Sequence, residues 1–523
     1  MNFLKKTTCF ILTILFFVNY FNFNIYAEQQ YISVGLSKYK NVNNISLDNK
    51  ELTIGKNNNS SFYSEATLST NKSFNIKTLN LYSIKYNNRF YSYEDALNFS
   101  KNYKDAYLFK DDSWYVMIGN FTNMLDANTF ITNENINGEI YKIDNSIGIY
   151  EDTQLLIAFK ESVAIKSNEN ISISGKEYRN ILSIICKNNL LTVINILDIE
   201  EYLYGVVPSE MPSSWHKEAL KAQAVASRNY AYSNLGIHSS EGYDVCDTVH
   251  CQVYNGVSNE KQSTNEAINE TKGIFAYYNN EKINAVYSSS SGGYTDDAEN
   301  VWNYSIPYLK AIKDEYEEGA KQWTRTFTFD ELSNVASIGT VNEVILESSS
   351  VTGRAISLTL IGSSGKKVLE KEEIRTFFSK FSDGSLDSRN FKMAKGNTYT
   401  TNNTNTQTNT NSIYVVSSNG NNSIDINSVF VTDKNNNTTK IKNTFAIDKS
   451  QSILNLLNLT STTTSNLNYT SKVTRDDSNS ITFIGKGWGH GVGMSQYGAN
   501  SLAKKGYTYD EILKYYYTGI EVR

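Results

Sequence analysis

Two of the chain's three prolines bracket one glutamate, in the run Pro208-Ser209-Glu210-Met211-Pro212. Proline fixes its own φ and pushes the preceding residue into extended geometry. The spacing therefore predicts Glu210 on a stiff, non-helical turn at a helix N-terminus. A carboxyl held rigidly suits general-acid work, because its proton must lie within hydrogen-bond reach of a leaving oxygen. Val206, Val207, Met211 and Trp215 are apolar neighbours that desolvate the carboxylate and favour the neutral acid. A helix N-terminus would act the other way, by favouring the anion. Alone, the feature fits an ordinary first-turn charge as well as a catalyst.

A second cluster lies between His238 and Cys251. Two of the four histidines and two of the four cysteines fall there, as His238, Cys246, His250 and Cys251. Zinc takes N and S ligands in a tetrahedral array, and these residues supply a full set. A Cys246–Cys251 disulfide and two free thiols are the other readings. A zinc here is structural, because the protein fills every position. A zinc-dependent amidase would need an open position and a base, for which the loop has no obvious room.

Two further runs carry polar chemistry. Gly485, Gly487, Gly489, Gly491 and Gly493 alternate with larger residues; in an extended strand one face would be bare and the other would carry Trp488 and His490. It is neither a dinucleotide fingerprint nor a phosphate loop. Tyr287 is followed by four serines, Ser288 to Ser291, without the strand–elbow–helix setting of a nucleophilic serine.

The elements that must position these groups are legible in part. Ile181–Cys186 and Leu190–Leu197 read as a β-hairpin around Lys187-Asn188-Asn189, with Cys186 a buried strand residue. Asp198 can cap a short helix over 199–206. A long helix over about 213–235 carries the small stripe Ala219, Ala222, Ala226. Thr508 with Glu511 forms a capping-box pattern before a helix whose stripe is Ile512, Leu513 and Tyr516. Upstream, Tyr93–Tyr103 and Met124–Ile131 read as helices and Ser113–Phe121 as a strand. That strand–helix pattern loosely resembles the small glycan-binding SPOR repeat.

The chain has 523 residues and a formal net charge of −5, which excludes a nucleic-acid binder held by bulk positive charge. At the N-terminus, Lys5 and Lys6 precede a short apolar run, Thr7 to Val18, with a cleavage point after Ala27. This reads as an export signal, or as a retained anchor and then the only membrane contact. The expected location is outside the cytoplasmic membrane. The fold class expected is α+β: a mixed catalytic domain with one long central helix packed on β-strands, plus a separate N-terminal α+β accessory domain. The boundaries expected are 1–27 signal or anchor, 28–165 accessory domain, 166–395 catalytic core, 396–480 Asn/Thr-rich low-complexity insertion, and 481–523 a C-terminal motif completing the core. The insertion has too few apolar side chains to offset backbone ordering, with short strands at Ile413–Ser418 and Ser428–Asp433.

Four motifs in order, INILDIEEYLYGVVPSEMPSSWHKEALKAQAVASRNYA, YDVCDTVHCQVYNG, YSSSSGGYT and GKGWGHGVGMSQYGANSLAKKGYTYDEILKYYYTG, resemble the SpoIID/LytB family of cell-wall proteins. The resemblance covers roughly 175–330 and 480–523. It implies a peptidoglycan lytic transglycosylase of sporulating bacteria, acting on glycan strands stripped of stem peptides, with its catalytic glutamate at Glu210. It also implies a cell-wall amidase as partner, and a zinc ion near the Cys/His loop. A non-catalytic enhancer of such an amidase is the alternative. Tyr287 stands where many relatives have histidine, and Thr518 where many have proline. Arg228, Gln252, Tyr254, Ser289 and His490 are the candidates for holding sugar hydroxyls and N-acetyl groups.

Overall fold

The computed structural model describes residues 31–58, 61–395, 468–477 and 479–523, together with the backbone of short strands between 412 and 455. The expected signal or anchor at 1–27 lies outside the described residues, as does most of the insertion. Within it, the strands Ser412–Ser417 and Phe430–Thr432 fall where extended structure was expected. The chain is α+β with several sheets and divides into two compact units.

The first unit runs to Ser290 and adds Ile306–Gly319 and Val492–Arg523. Its seven-stranded sheet runs, in spatial order, Val245–Cys246, Tyr31–Val42, Leu190–Asp198, Ile181–Lys187, Ser162–Lys166, Glu51–Asn58 and Ser61–Ser69. The expected hairpin is its centre. Asn188 and Asn189 both have positive φ, 54° and 56°, the two-residue turn that matches strand twist. Cys186 is buried on that strand.

An eight-stranded sheet takes its strands from within residues 44–178, apart from those that join the first sheet. Phe74–Tyr86, the helix Tyr93–Ser100, Ala106–Lys110, Trp114–Phe121, the helix Met124–Asn133 and Gly138–Glu151 follow in chain order. In space the strands lie Gly138–Glu151, Phe74–Tyr86, Trp114–Phe121, Ala106–Lys110, the split βαβ arrangement. Gln154–Lys160 joins the two ends and closes the sheet on itself. The expected boundary at residue 165 does not separate this region from the core, because Tyr31–Val42 and Glu51–Asn58 are strands of the sheet that holds the hairpin. A sheet edge carries unpaired backbone donors and acceptors, and N-terminal strands satisfy them here.

The helix expected over 213–235 is Lys217–Ser233, and Ala219, Ala222 and Ala226 are fully buried. It packs chiefly against other helices, Ile199–Glu210, Gln262–Glu270, Gln496–Lys504 and Tyr509–Tyr516, and touches the strand Ala276–Tyr278 more lightly, so the β-strands expected to carry it are a minor part of its surroundings. The alanine stripe explains the difference, since small side chains let helix axes approach closely. The capping box at Thr508 forms, and Ile512, Leu513 and Tyr516 are buried.

The second unit comprises Ser291–Ser305 and Ala320–Gly491. Its four-stranded antiparallel sheet is Gly365–Glu370, Ala355–Gly362, Val341–Ser348 and Tyr469–Thr474. A three-stranded sheet, Gln322–Thr328, Ser480–Lys486 and Phe391–Lys395, shares its core around Phe327, Phe378 and Phe483. The expected divisions at 166–395 and 481–523 are therefore both crossed by the division between units.

The glycine run is not an extended strand. Gly487, Gly489, Gly491 and Gly493 have φ between 71° and 102°, left-handed backbone that reverses the chain at each position. A Cβ on Gly491 would sit 2.2 Å from the guanidinium of Arg354, so the second unit needs glycine there for its backbone to lie flat on that side chain.

Candidate active site

The helix that carries Glu210 starts at Asp198, whose Oδ1 accepts the Glu200 N–H at 2.8 Å. It does not stop at Val206 but continues through Pro208 to Glu210. Proline near the last turn forfeits only one helical hydrogen bond, while Val206 and Val207 behind it are fully buried. The stop comes from Pro212. Met211 before it is extended, at φ −125° and ψ 139°, as pre-proline sterics demand. Glu210 is thus the last residue of a helix, which corrects the expected place on a non-helical turn at a helix N-terminus. The dipole sign reverses with it: a helix C-terminus disfavours the anion.

Three donors from distant segments converge on the carboxyl of Glu210. The Val253 N–H donates to Oε1 at 3.1 Å and the Gln496 Nε2 to Oε2 at 3.3 Å. The Tyr287 hydroxyl is the third. Burial raises the Glu210 pKa and these donors lower it; the balance stands above the ordinary carboxylic value. By linkage, the stabilisation this group gives the fold is present at low pH and is lost as pH rises through its folded pKa.

Each donor is itself fixed. Tyr287–Ser288 pairs in parallel with Met494–Ser495. Ser495 caps the helix Gln496–Lys504, which places Gln496 at its first position. Gln496 also meets Gln223 of the central helix at 3.3 Å. The Tyr287 hydroxyl accepts from Gln252 Nε2 at 2.9 Å, and Gln252 Oε1 accepts from Tyr202 at 3.3 Å. Trp215 and Tyr497, next to this site in sequence, make an edge-on ring pair at 4.9 Å.

The candidates for substrate contact divide. Gln252 is buried and acts on Tyr287. Ser289 is partly exposed, and its carbonyl accepts the Tyr497 N–H at 3.0 Å. His490 belongs to the second unit, its ring 5.3 Å from that of Trp302. Two candidates are corrected. Arg228 is fully buried and forks onto Glu200, Nε to Oε1 and Nη2 to Oε2 both at 2.7 Å, with Nη1 on the Ile274 carbonyl. Tyr254 is buried with its hydroxyl on Asn195 Oδ1 at 2.7 Å. Polarity at a motif position does not report burial, and both are internal ties. Arg228→Leu accordingly leaves Glu200 buried without its partner and costs roughly 3 kcal/mol, read as a lower denaturation midpoint. An unchanged midpoint with weaker substrate binding would contradict the internal role.

Gln496 and Val253 were not foreseen. Gln496 lies 286 residues from Glu210, and its motif gave only a position after the glycines. Val253 contributes through its backbone, on which side-chain type is silent.

His238, Cys246, His250 and Cys251 come together as expected, with ligand atoms all within 4.8 Å of one another, an arrangement that can hold a metal ion. Cys251 Sγ lies 3.4 Å from His238 Nε2 and 3.5 Å from His250 Nδ1, and Cys246 Sγ lies 3.8 Å from His250 Nδ1. Both cysteines are free thiols. His238 Nδ1 faces Glu241 at 3.1 Å, which turns Nε2 toward the cluster. Lys40 and Tyr243 hold the Glu241 carboxyl down to about 2, so it stays an anion.

A family profile described as Stage II sporulation protein matches residues 187–278, which include Glu210 and all four metal-site residues. The chain belongs to the SpoIID/LytB family. It is 30% identical to an uncharacterized protein of Brachyspira hyodysenteriae over 72% of this chain and 78% of that one. It is 34% identical to the amidase enhancer of Bacillus subtilis over 61% of this chain and 39% of that protein. With the stage II sporulation protein D of Bacillus subtilis it shares 29% identity over 62% of this chain and 74% of that protein. Among the described residues, no helix is long and apolar enough to cross a membrane.

Proposed function

We propose that this chain is a peptidoglycan lytic transglycosylase that cleaves the MurNAc–GlcNAc bond of denuded glycan strands, in sporulation. The observation that carries the reading is the setting of Glu210: one partly buried carboxyl at the C-terminal end of a helix, held by three donors. Burial and helix polarity favour its neutral form, which can give its proton to the glycosidic oxygen as positive charge develops at the anomeric carbon. The three donors then stabilise the carboxylate that remains. That carboxylate takes the proton of the muramyl C6 hydroxyl, whose oxygen closes on the anomeric carbon to form the 1,6-anhydro ring. No outside water enters, so one carboxyl serves both steps.

The reading gives a pH test. The acid form must act first, so kcat/KM declines on the alkaline side with the pKa of Glu210. Tyr287→Phe removes a donor to the carboxylate, raises that pKa further and moves the alkaline limb to higher pH. A limb that stays in place, or moves down, would remove Tyr287 from the mechanism.

The metal site is read as structural zinc. With Zn–S near 2.3 Å and Zn–N near 2.0 Å, a tetrahedral S···N edge is about 3.5 Å. Three of the four S···N separations, 3.4, 3.5 and 3.8 Å, fit it, and the whole set lies within 4.8 Å. Four protein ligands leave no position for a reacting water.

The residues at 1–27 are read as an export signal or anchor, which places the protein outside the cytoplasmic membrane, at the wall. The split βαβ module is read as a SPOR-like glycan-binding accessory. A second reading, favoured by the 34% identity to an amidase enhancer, is that the chain binds peptidoglycan and stimulates a wall amidase without cutting. Incubation of the purified chain with denuded glycan, followed by mass analysis of the products, separates the two. Anhydromuramyl ends support the first reading, and their absence with amidase stimulation retained supports the second.

A further inference from the structure

Two aromatic rings flank the Glu210 site in sequence and take no part in its acid–base chemistry. Trp215 follows Glu210 by five positions, on the turn that Pro212 begins. Tyr497 follows Gln496, so its Cα lies about 3.8 Å from that of the residue whose amide meets the Glu210 carboxyl. The rings meet edge to face, with centroids 4.9 Å apart and planes at 72°. An edge-on pair uses one face of only one ring, which leaves ring surface for a third partner. Both rings reach solvent: Tyr497 is 37% exposed and Trp215 is half-buried.

The backbone behind the rings is tied down. The Trp215 N–H donates to the Pro212 carbonyl at 2.9 Å, and the next N–H, of His216, donates to Asn500 Oδ1 at 3.0 Å. Asn500 is on the helix Gln496–Lys504 that carries Tyr497, so the two rings share one support. The start of that helix is fixed in turn, because Ser495 Oγ donates to Glu317 Oε1 at 2.9 Å and accepts the Gly498 N–H at 3.1 Å. Gly319, at φ 75°, brings its backbone against the Tyr497 ring, where a Cβ would lie 3.9 Å from two ring carbons. Rigid amphipathic rings lose little entropy when they take a ligand. A pyranose matches them: its axial C–H bonds form an apolar face drawn to the negative face of an aromatic ring, while its hydroxyls stay in water. A peptide backbone laid on the same rings would leave its amides unpaired.

We infer that Trp215 and Tyr497 form an aromatic platform that stacks on a sugar ring of the glycan strand and holds the strand across Glu210. This rests on the reading of a glycan substrate at Glu210. It adds to that reading two residues that touch sugar without moving a proton.

Titration of soluble denuded glycan strands into the full chain carrying Glu210→Gln, which cuts no bond on the proposed mechanism, tests it by calorimetry and by tryptophan emission. Added to that parent, Tyr497→Leu keeps an apolar side chain but no ring face, and should weaken binding roughly five-fold or more. Tyr497→Phe keeps the face and should bind as the parent does. Trp215→Phe also keeps a face, so it should retain most of the affinity yet abolish the change in emission that glycan causes in the parent. These results together support the platform. A leucine variant that binds like the parent, equal losses from Tyr497→Leu and Tyr497→Phe, or an emission change that persists without Trp215 overturns it. In each of those cases the parent still binds glycan, and the reading of Glu210 stands. A parent that binds no glycan overturns the platform and the glycan reading together.

Discussion

Glu210→Gln abolishes release of anhydromuramyl products from denuded glycan, by about 10⁴-fold. General acid–base catalysis is typically worth 10²–10⁴, and here a single group supplies both the acid and the base. At about 1.4 kcal/mol for each factor of ten, this is about 5.5 kcal/mol of transition-state stabilisation. Glutamine keeps the shape, and its carbonyl oxygen still accepts from Val253, at 3.1 Å in the native chain, so the fold survives with little change in melting temperature. Its amide group faces Gln496 Nε2 in place of an acceptor, a local loss of one hydrogen bond, worth about 1 kcal/mol. Product yield from the mutant equal to wild type would end the transglycosylase reading and leave the enhancer.

Cys251→Ser, or exhaustive chelation of the wild type, removes the metal and lowers stability by at least about 5 kcal/mol. Ordinary substitutions cluster near 1 kcal/mol, and loss of a structural metal belongs to the short list of larger effects. The reason lies in what the cluster ties together. Cys246 is on the strand Val245–Cys246, which pairs with Tyr31–Val42 at the edge of the seven-stranded sheet. His250 and Cys251 immediately precede Gln252 and Val253, which support the carboxyl of Glu210. Loosening this loop therefore also removes donors from the Glu210 carboxyl. The melting temperature should fall by at least roughly 10 °C, and metal analysis should find one zinc per wild-type chain and none in the variant. A fall produced by reductant alone, with no metal present, would instead identify a Cys246–Cys251 disulfide.

Local features were the legible ones. The Asn188-Asn189 turn, the Asp198 and Thr508 caps and the alanine stripe are written in neighbouring residues, and each forms as read. The four metal-site residues were also found from spacing, because they lie within fourteen positions of one another. The proline bracket marks Glu210 but not its backbone: Pro208 sits inside the helix, because a proline ends a helix only where much helix would have to follow it. Long-range features were not legible. Nothing near Glu210 announces Gln496, and nothing in the type of Arg228 distinguishes a sugar contact from a tie to Glu200. The strands from 31–69 that complete the hairpin sheet follow from edge pairing, which a single sequence does not encode locally.

The parallel pairing of Tyr287–Ser288 with Met494–Ser495 has a consequence for biogenesis. A ribosome has made Glu210 long before it reaches Gln496, and the whole second unit intervenes. Until that later stretch emerges and docks, the acid lacks one of its three supports and its flanking strand has no neighbour. On the proposed reading, the bond-cutting site at Glu210 is therefore complete only once Val492–Arg523 has been made.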